Sequence, residues 1–253
     1  MTPDRSHIQV SIITPNYNGE AFIAETIQSV LNQDFVAWEL IIIDDNSSDE
    51  SIKIIESFHD DRIQLVRLDK NQGAAIARNE GIRQATGRWI AFLDGDDLWM
   101  SNKLSEQISF MRKNNYAFTY TAYEKMNDHS QKTGLITVPE KVNYHDLLKT
   151  CSIGCLTAIY DSQQLGKIYM PEIDKRQDYG LWLKILKQID FAYGMDQMLA
   201  KYRVRSHSIS RNKFLAAKYQ WRVYREIEKL SFFSALSYMI SYAYYGTIKS
   251  YLK

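Results

Sequence analysis

Four times in its first hundred or so residues the chain repeats one unit: a short apolar run stops at turn-forming polar residues and gives way to helical spacing. Ile8 to Thr14 stops at Pro15-Asn16-Tyr17-Asn18-Gly19. Phe22, Ile23, Ile27, Val30 and Leu31 then fall on one face of a helix over Glu20 to Gln33. Trp38 to Ile43 stops at Asp44-Asp45-Asn46-Ser47-Ser48-Asp49, where Ser48 or Asp49 can cap a helix carrying Ile52, Ile55 and Phe58. Ile63 to Leu68 precedes a helix from Gly73 to Thr86, and Arg88 to Leu93 precedes one from Asn102 to Lys113. Strands of one direction joined by helices cross over right-handedly, so the series predicts an α/β fold built on a doubly wound, mostly parallel sheet.

The second half is less regular. Phe118 to Tyr123 alternates as a strand, Asn127 to Asn143 reads as a polar hairpin or loop, and Tyr144 to Thr150 and Arg176 to Gln188 read as helices. Further strands are expected near Cys155 to Tyr160 and Met198 to Val204. With 253 residues, 45% of them apolar, and no Gly/Ser linker or low-complexity tract, the chain can bury one large core. Cys151 and Cys155 lack the further ligands of a structural zinc site and read as reduced thiols, which suits the cytoplasm. Met1 to Arg5 has no apolar run of the kind a secretory signal carries. The net charge of +1 conceals a division, with 11 Lys and Arg against 2 Asp and Glu from Lys201 to Lys253 and 20 against 28 in the rest. An acidic body and a basic tail face different partners, and the absence of a recognition motif argues against nucleic acid.

Polar residues at four strand ends carry the chemistry. The sharpest group is Asp94-Gly95-Asp96-Asp97, where three carboxylates in four positions repel one another unless a divalent cation or a set of donors offsets their charge. In an open α/β sheet, ligands bind beyond the carboxyl ends of the strands, where these acids lie. Tyr17 can stack on a base, Asp44 or Asp45 can accept from a ring N–H such as that of uracil, and Arg78 can reach a phosphate. Each also has an ordinary structural reading as a turn aromatic, a helix cap or a solvated cation, but their convergence at successive strand ends points to a site. A nicotinamide enzyme is excluded, because Pro15-Asn16-Tyr17-Asn18-Gly19 stands where Gly-x-Gly-x-x-Gly is required.

The segments Ser11-Ile-Ile-Thr-Pro-Asn-Tyr-Asn18, Ile43-Asp-Asp-Asn-Ser-Ser-Asp49, Gly73-Ala-Ala-Ile-Ala-Arg-Asn-Glu-Gly81 and Phe92-Leu-Asp-Gly-Asp-Asp97 together resemble the family 2 glycosyltransferases of bacterial cell-surface polysaccharides, from about Val10 to about Ser210. The resemblance implies a GT-A fold, a nucleotide-sugar donor (usually a UDP-sugar), a Mn2+ or Mg2+ cofactor, and inversion at the anomeric carbon. On matching positions it implies that Pro15, Tyr17 and Asp45 hold the base and Asp94 the ribose. Asp96 would hold the metal, or Asp97 in another alignment of the motif. It also implies a general base within a Glu-Asp-x-x-Leu-Trp motif, matched by Gln177-Asp178-Tyr179-Gly180-Leu181-Trp182, so the base is Asp178 and Gln177 replaces the usual Glu. Lys201 to Ser210 resembles the family's closing loop, which makes Arg203, Arg205 and His207 candidates for the donor diphosphate. The acceptor would be a saccharide, free or lipid-linked.

Residues 1–210 are therefore expected to form the transferase domain, divided near residue 100 into a nucleotide-binding and an acceptor-binding half, with 211–253 as a basic, aromatic helical tail. On a helix, Arg211, Lys218, Arg222, Arg225 and Lys229 fall on one stripe, with Ala216, Tyr219, Val223, Ile227 and Leu230 opposite and Phe214 and Trp221 beside the basic stripe. Leu230 to Ile248 carries no charge but many Ser, Thr and Tyr, which is too polar to span a bilayer. The tail either lies on the inner face of the cytoplasmic membrane as a peripheral anchor or packs as a helical hairpin on the domain. A membrane-bound scaffold without catalysis is the competing reading of the whole chain. It would require the loss of the acids or of Asp178, and all are present.

Overall fold

The structure, a computed structural model, describes residues 8–205 and 213–251, with the side chains of 213–214 and 246–251 left out of the description. The first half follows the alternation closely: β1 (Val10–Asn16), α1 (Ile23–Leu31), β2 (Trp38–Asp44), α2 (Ser51–Glu56), β3 (Ile63–Arg67), α3 (Ala74–Gln84) and β4 (Trp89–Phe92). All seven residues of β2 are buried, as expected of an inner strand covered on both faces. Successive strand residues divide between two cores. Val10, Ile12, Leu40, Ile42 and Ala91 pack with Ile23, Ile27 and Val30 of α1, and Ile13, Ile41, Ile43 and Phe92 pack on the other face with Ala77 and Ile82 of α3. Helix α3 lies close to the sheet at Gly81, where a Cβ would stand 2.5 Å from Ile13 Cγ2.

The chain continues through β5 (Leu98–Trp99), α4 (Lys103–Asn114), β6 (Phe118–Met126), β7 (Lys132–Ile136), β8 (Lys141–Val142), α5 (Tyr144–Lys149), a short 3-10 turn (Cys155–Thr157), β9 (Ile159–Asp161) and α6 (Ser162–Leu165). It then forms α7 (Gln177–Leu186) and β10 (Ala192–Arg203). The sheet runs β3-β2-β1-β4-β9-β6-β10-β5, with β7 on β6 and β8 on β10. β3, β2, β1 and β4 are mutually parallel, as are β6 and β10, whereas β9 runs antiparallel to both β4 and β6. From β1 the chain winds to β2 and β3 and then returns to β4 on the other side of β1. That reversal opens a crevice beyond the carboxyl ends of β1 and β4.

The strand expected near Cys155 to Tyr160 opens as the 3-10 turn and pairs only over Ile159–Asp161, and β10 and the tail differ from expectation for local reasons. β10 begins six residues before Met198, because its pairing to β6 passes through register shifts between Met195 and Met198 and between Met198 and Ala200. Bulged residues such as Asp196 and Gln197 break the alternation that marks a strand. After α8 (Lys213–Arg222) the helix widens into a π turn over Val223–Ile227, followed by α9 (Phe232–Tyr251). The widened turn sets Tyr224 beside Val223 in the core, and Trp221, expected beside the basic stripe, packs against the same cluster. The tail folds back on the body: Val223, Tyr224 and Ala235 are buried with Leu147, Leu148 and Leu183. Glu228 accepts from Tyr144 Oη and pairs with Lys187 Nζ at 2.6 Å, and His145 Nδ1 meets Tyr238 Oη at 2.8 Å.

Candidate active site

The acidic turn follows β4 directly. Asp97 N donates to Asp94 O at 3.0 Å, and Gly95 presses on the end of β1, since a Cβ there would lie 3.3 Å from Pro15 O. The three carboxylates then diverge. Asp94 pairs with Arg78 of α3. Burial opposes the charge of Arg78, but Asp94, and after it Cys155 and Asp178, hold its proton more firmly than usual. Asp96 stands at the cleft with Arg205 Nη1 3.7 Å away; burial, and then the charge of Asp94, raise its pKa to about 6. Asp97 turns inward, where Oδ1 accepts from Arg203 N at 2.8 Å and Oδ2 has no hydrogen-bond partner among the described residues. Burial, followed by repulsion from Asp96 and Asp94, pushes Asp97 well above the carboxylate range.

Pro15, Tyr17, Asp45, Arg78, Asp94, Asp96 and Arg205 line one cleft. Tyr17 is 54% exposed at its rim, so its ring face is open to a planar ligand. Asp45 is tied down: its two oxygens accept from Gln72 N and Gly73 N, both at 2.8 Å, and its own N–H donates to Asn16 O. Gly73 has φ +89°, a conformation glycine adopts without strain, which lets the start of α3 fold over Asp45. Asp44 is turned away onto Asn16 Nδ2 at 2.8 Å and Ser47 Oγ at 2.6 Å.

Of the three cations expected over the diphosphate, the structure brings Arg205 to the cleft. Arg203 is enclosed behind the acidic turn. Its guanidinium donates to Asp96 O at 2.8 Å, Ser130 Oγ at 3.0 Å, Asn127 O and Asp128 O at 3.3 Å, and Glu25 Oε2 at 2.8 Å, and it lies 4.4 Å over the Phe22 ring. His207 lies outside the described residues.

Asp178 occupies the first turn of α7. It is near enough to Arg78 and Cys155 to act on the charge of both, but it is not among the residues that line the cleft. Its helix is held by a contact that the sequence did not reveal. Asn79, next to Arg78 on α3, accepts from Met170 N at 2.8 Å and donates to Met170 O at 3.0 Å, fixing the loop before α7. Pro171 of that loop packs on Gly180, where a Cβ would meet Pro171 Cγ at 2.4 Å.

The donor set fits one divalent cation held by few protein ligands. Asp96 presents a carboxylate to the cleft whose charge is disfavoured by burial, a cost that a cation would relieve. Among the described residues no cluster of three or more His, Cys, Asp and Glu surrounds a common point.

Residues 11–162 carry the sequence pattern described as Glycosyl transferase family 2. The chain belongs to that family. It is 46% identical over 92% of its length to TuaG of Bacillus subtilis (strain 168), named as a teichuronic acid biosynthesis glycosyltransferase, and covers 94% of that protein. It is 47% identical over 85% of its length to WfgD of Escherichia coli, covering 84% of it; that enzyme is named UDP-Glc:alpha-D-GlcNAc-diphosphoundecaprenol beta-1,3-glucosyltransferase. Among solved structures, S. aureus TarS residues 1–349 with UDP-GlcNAc superposes on 93% of this chain and 72% of that chain, with TM-score 0.75 and 20% identity. The mannosyltransferase PcManGT of Pyrobaculum calidifontis, in complex with GDP-Man and Mn2+, matches over 94% of this chain and 71% of that one, with TM-score 0.68 and 18% identity. This family 2 member has the GT-A fold and is an enzyme that transfers sugars.

Proposed function

We propose that the protein moves one sugar from a UDP-sugar to a lipid-linked saccharide with inversion, in the assembly of a surface polysaccharide. The convergence of Tyr17, Asp45, Arg78, Asp94, Asp96 and Arg205 on one cleft at the sheet's switch point carries this reading. Pro15, Tyr17 and the collar around Asp45 receive the uracil, Asp94 the ribose, and Arg78 and Arg205 the diphosphate, with His207 as a further candidate. WfgD and a second Escherichia coli relative, WfaP, are named as glucosyltransferases using UDP-Glc and GlcNAc-diphosphoundecaprenol, which supports that donor and acceptor class here.

In the transfer, Asp178 takes the proton of the acceptor hydroxyl as that oxygen bonds the anomeric carbon from the side opposite the nucleotide. The bond to the diphosphate oxygen breaks, and UDP departs with the electron pair. Arg78 and Arg205 stand where negative charge grows on the leaving group. A divalent cation, Mn2+ or Mg2+, would be held by Asp96 and would supply further neutralisation of that diphosphate. Asp97 Oδ1 accepts from Arg203 N at the end of β10, which supports Asp96 rather than Asp97 as the metal ligand. Calorimetry of UDP with and without Mn2+ tests the donor site. Tighter binding with the metal is expected, and equal affinity in both conditions would remove the metal from the reading.

Contact with the inner face of the cytoplasmic membrane belongs to the same proposal. Among the described residues no helix is long and apolar enough to cross a membrane. On α9, however, Phe233, Leu236, Ile240 and Tyr244 are exposed, Phe233 at 80% and Ile240 at 64%, and their spacing puts them on one stripe. Lys218, Arg225 and Lys229 are exposed on the neighbouring segment, which suits an anionic surface.

A further inference from the structure

One cation near Asp178 is not used by the donor chemistry. Arg176 immediately precedes α7, two residues before Asp178, and has φ 65°. That conformation is strained for a residue with a side chain and recurs where a group is aimed for function. The enclosed Arg78 and Arg203 each pair with a carboxylate. Arg176, partly buried, reaches a phenol instead: it donates to Tyr242 Oη of α9, and its guanidinium lies 5.4 Å over that ring. Among the described residues no carboxylate forms an ion pair with it. After burial and Tyr242, the groups that act most on its charge are Cys151 and Asp178, so the guanidinium lies near the start of α7 where Asp178 stands.

Arg176 is partly buried and holds its proton more firmly than usual, burial opposing its charge and Tyr242, then Cys151 and Asp178, favouring it, so it stays a charged fork that an anionic ligand can pair with. We propose that Arg176 binds the diphosphate of a lipid-linked acceptor while the sugar on that diphosphate offers its hydroxyl to Asp178. The proposal rests on the lipid-linked acceptor reading above. Arg176 is the N-cap residue of the helix whose first turn carries Asp178, so one short stretch of chain positions both. The direction agrees. Tyr242 lies on the opposite side of α9 from Phe233, Leu236, Ile240 and Tyr244, so the guanidinium sits across one helix width, on the order of 10 Å, from the membrane-facing stripe. The lipid can leave around α9 toward the bilayer while its headgroup stops at Arg176.

The test uses UDP-glucose with two soluble acceptors, a short-chain alkyl diphospho-α-GlcNAc and an alkyl α-GlcNAc glycoside without phosphate. Arg176→Gln should raise KM for the diphosphate acceptor on the order of tenfold or more, as loss of a charge-assisted bond does, and leave the simple glycoside unchanged. Arg176→Lys should recover part of the loss, since it keeps the charge and gives up the fork. In a separate arm, dodecyl diphosphate is titrated into the full chain saturated with UDP and Mn2+, and Arg176→Gln should weaken its binding by a similar factor. Equal losses on both acceptors, or unaltered dodecyl diphosphate binding, would overturn the subsite. Binding of dodecyl diphosphate through Arg176 without transfer from any UDP-sugar would instead overturn the lipid-linked acceptor reading and leave the subsite standing.

Discussion

Replacing Arg203 by Met separates two roles for a cation at that position. If Arg203 is a diphosphate ligand, the variant folds normally and loses donor affinity alone. The structure predicts a different outcome, because the guanidinium is fully enclosed and bonded to Asp96 O, the 127–130 loop and Glu25. Met preserves most of the apolar stem, so packing changes little. Asp96 O would be left without its charged donor, at about 1–3 kcal/mol. Glu25 is about half exposed and rehydrates at little cost, and the exposed Asp128 and Ser130 do likewise. No buried charge is left unpaired, so the total should stay at about 1–3 kcal/mol. For a chain of this length that corresponds to a fall in Tm of about 2–12 °C. Thermal unfolding and UDP calorimetry on the same preparations measure both quantities, and donor binding should also weaken because Asp96 loses its anchor. An unchanged Tm with lost UDP affinity would refute the clamp and make Arg203 a donor ligand.

Asp96 must be ionised to hold a cation, and its pKa is raised to about 6. Metal-dependent UDP affinity should therefore be constant above that pH and fall about tenfold for each unit below it; Asp96→Asn should abolish the metal dependence, as calorimetry at several pH values would reveal. The sign for stability is opposite to that of an ordinary paired carboxylate. Because the folded pKa lies above the unfolded one, metal-free protein should lose stability as pH rises from about 4 to 6, and urea titrations that found a gain across this interval would contradict the burial argument. Asp178→Asn should abolish transfer and leave UDP-sugar affinity within about twofold, because the base acts on the acceptor; near wild-type turnover would exclude it as the base. Removing the tail would expose the core around Val223, Tyr224 and Ala235, so the membrane contact is better probed by Phe233→Asp with Ile240→Asp. The pair should reduce co-sedimentation with anionic vesicles severalfold, and partitioning equal to wild type would end the membrane reading.

The parallel half of the fold was legible because each strand there is buried on both faces and each helix on one, so the apolar period changes at every boundary. β10 was only partly legible, since the register shifts near Asp196 and Gln197 erase the alternation that would announce it. In the site, the acids were conspicuous because they are crowded in sequence. Asn79 and Glu25 were not, because their partners Met170 and Arg203 lie 91 and 178 positions away. Arg203 and Arg205 look equivalent in the sequence and both lie over the Phe22 ring, but the bonds to the 127–130 loop and Glu25 hold one inward and leave the other at the cleft. In the tail, a 100° periodicity located the helices, but the π turn over Val223–Ile227 changed which residues meet the core.

Helix α3 gives both reacting partners a common datum. Arg78 on one side meets Asp94 of the donor cleft, and the adjacent Asn79 grips the loop that leads to Asp178. In the proposed transfer, the gap the sugar must cross would be set by this one helix. In the proposed function the nucleobase would also meet Tyr17, on the loop after β1 and apart from that helix, so substitutions at Tyr17 would retune nucleotide choice without altering the jump distance for the sugar.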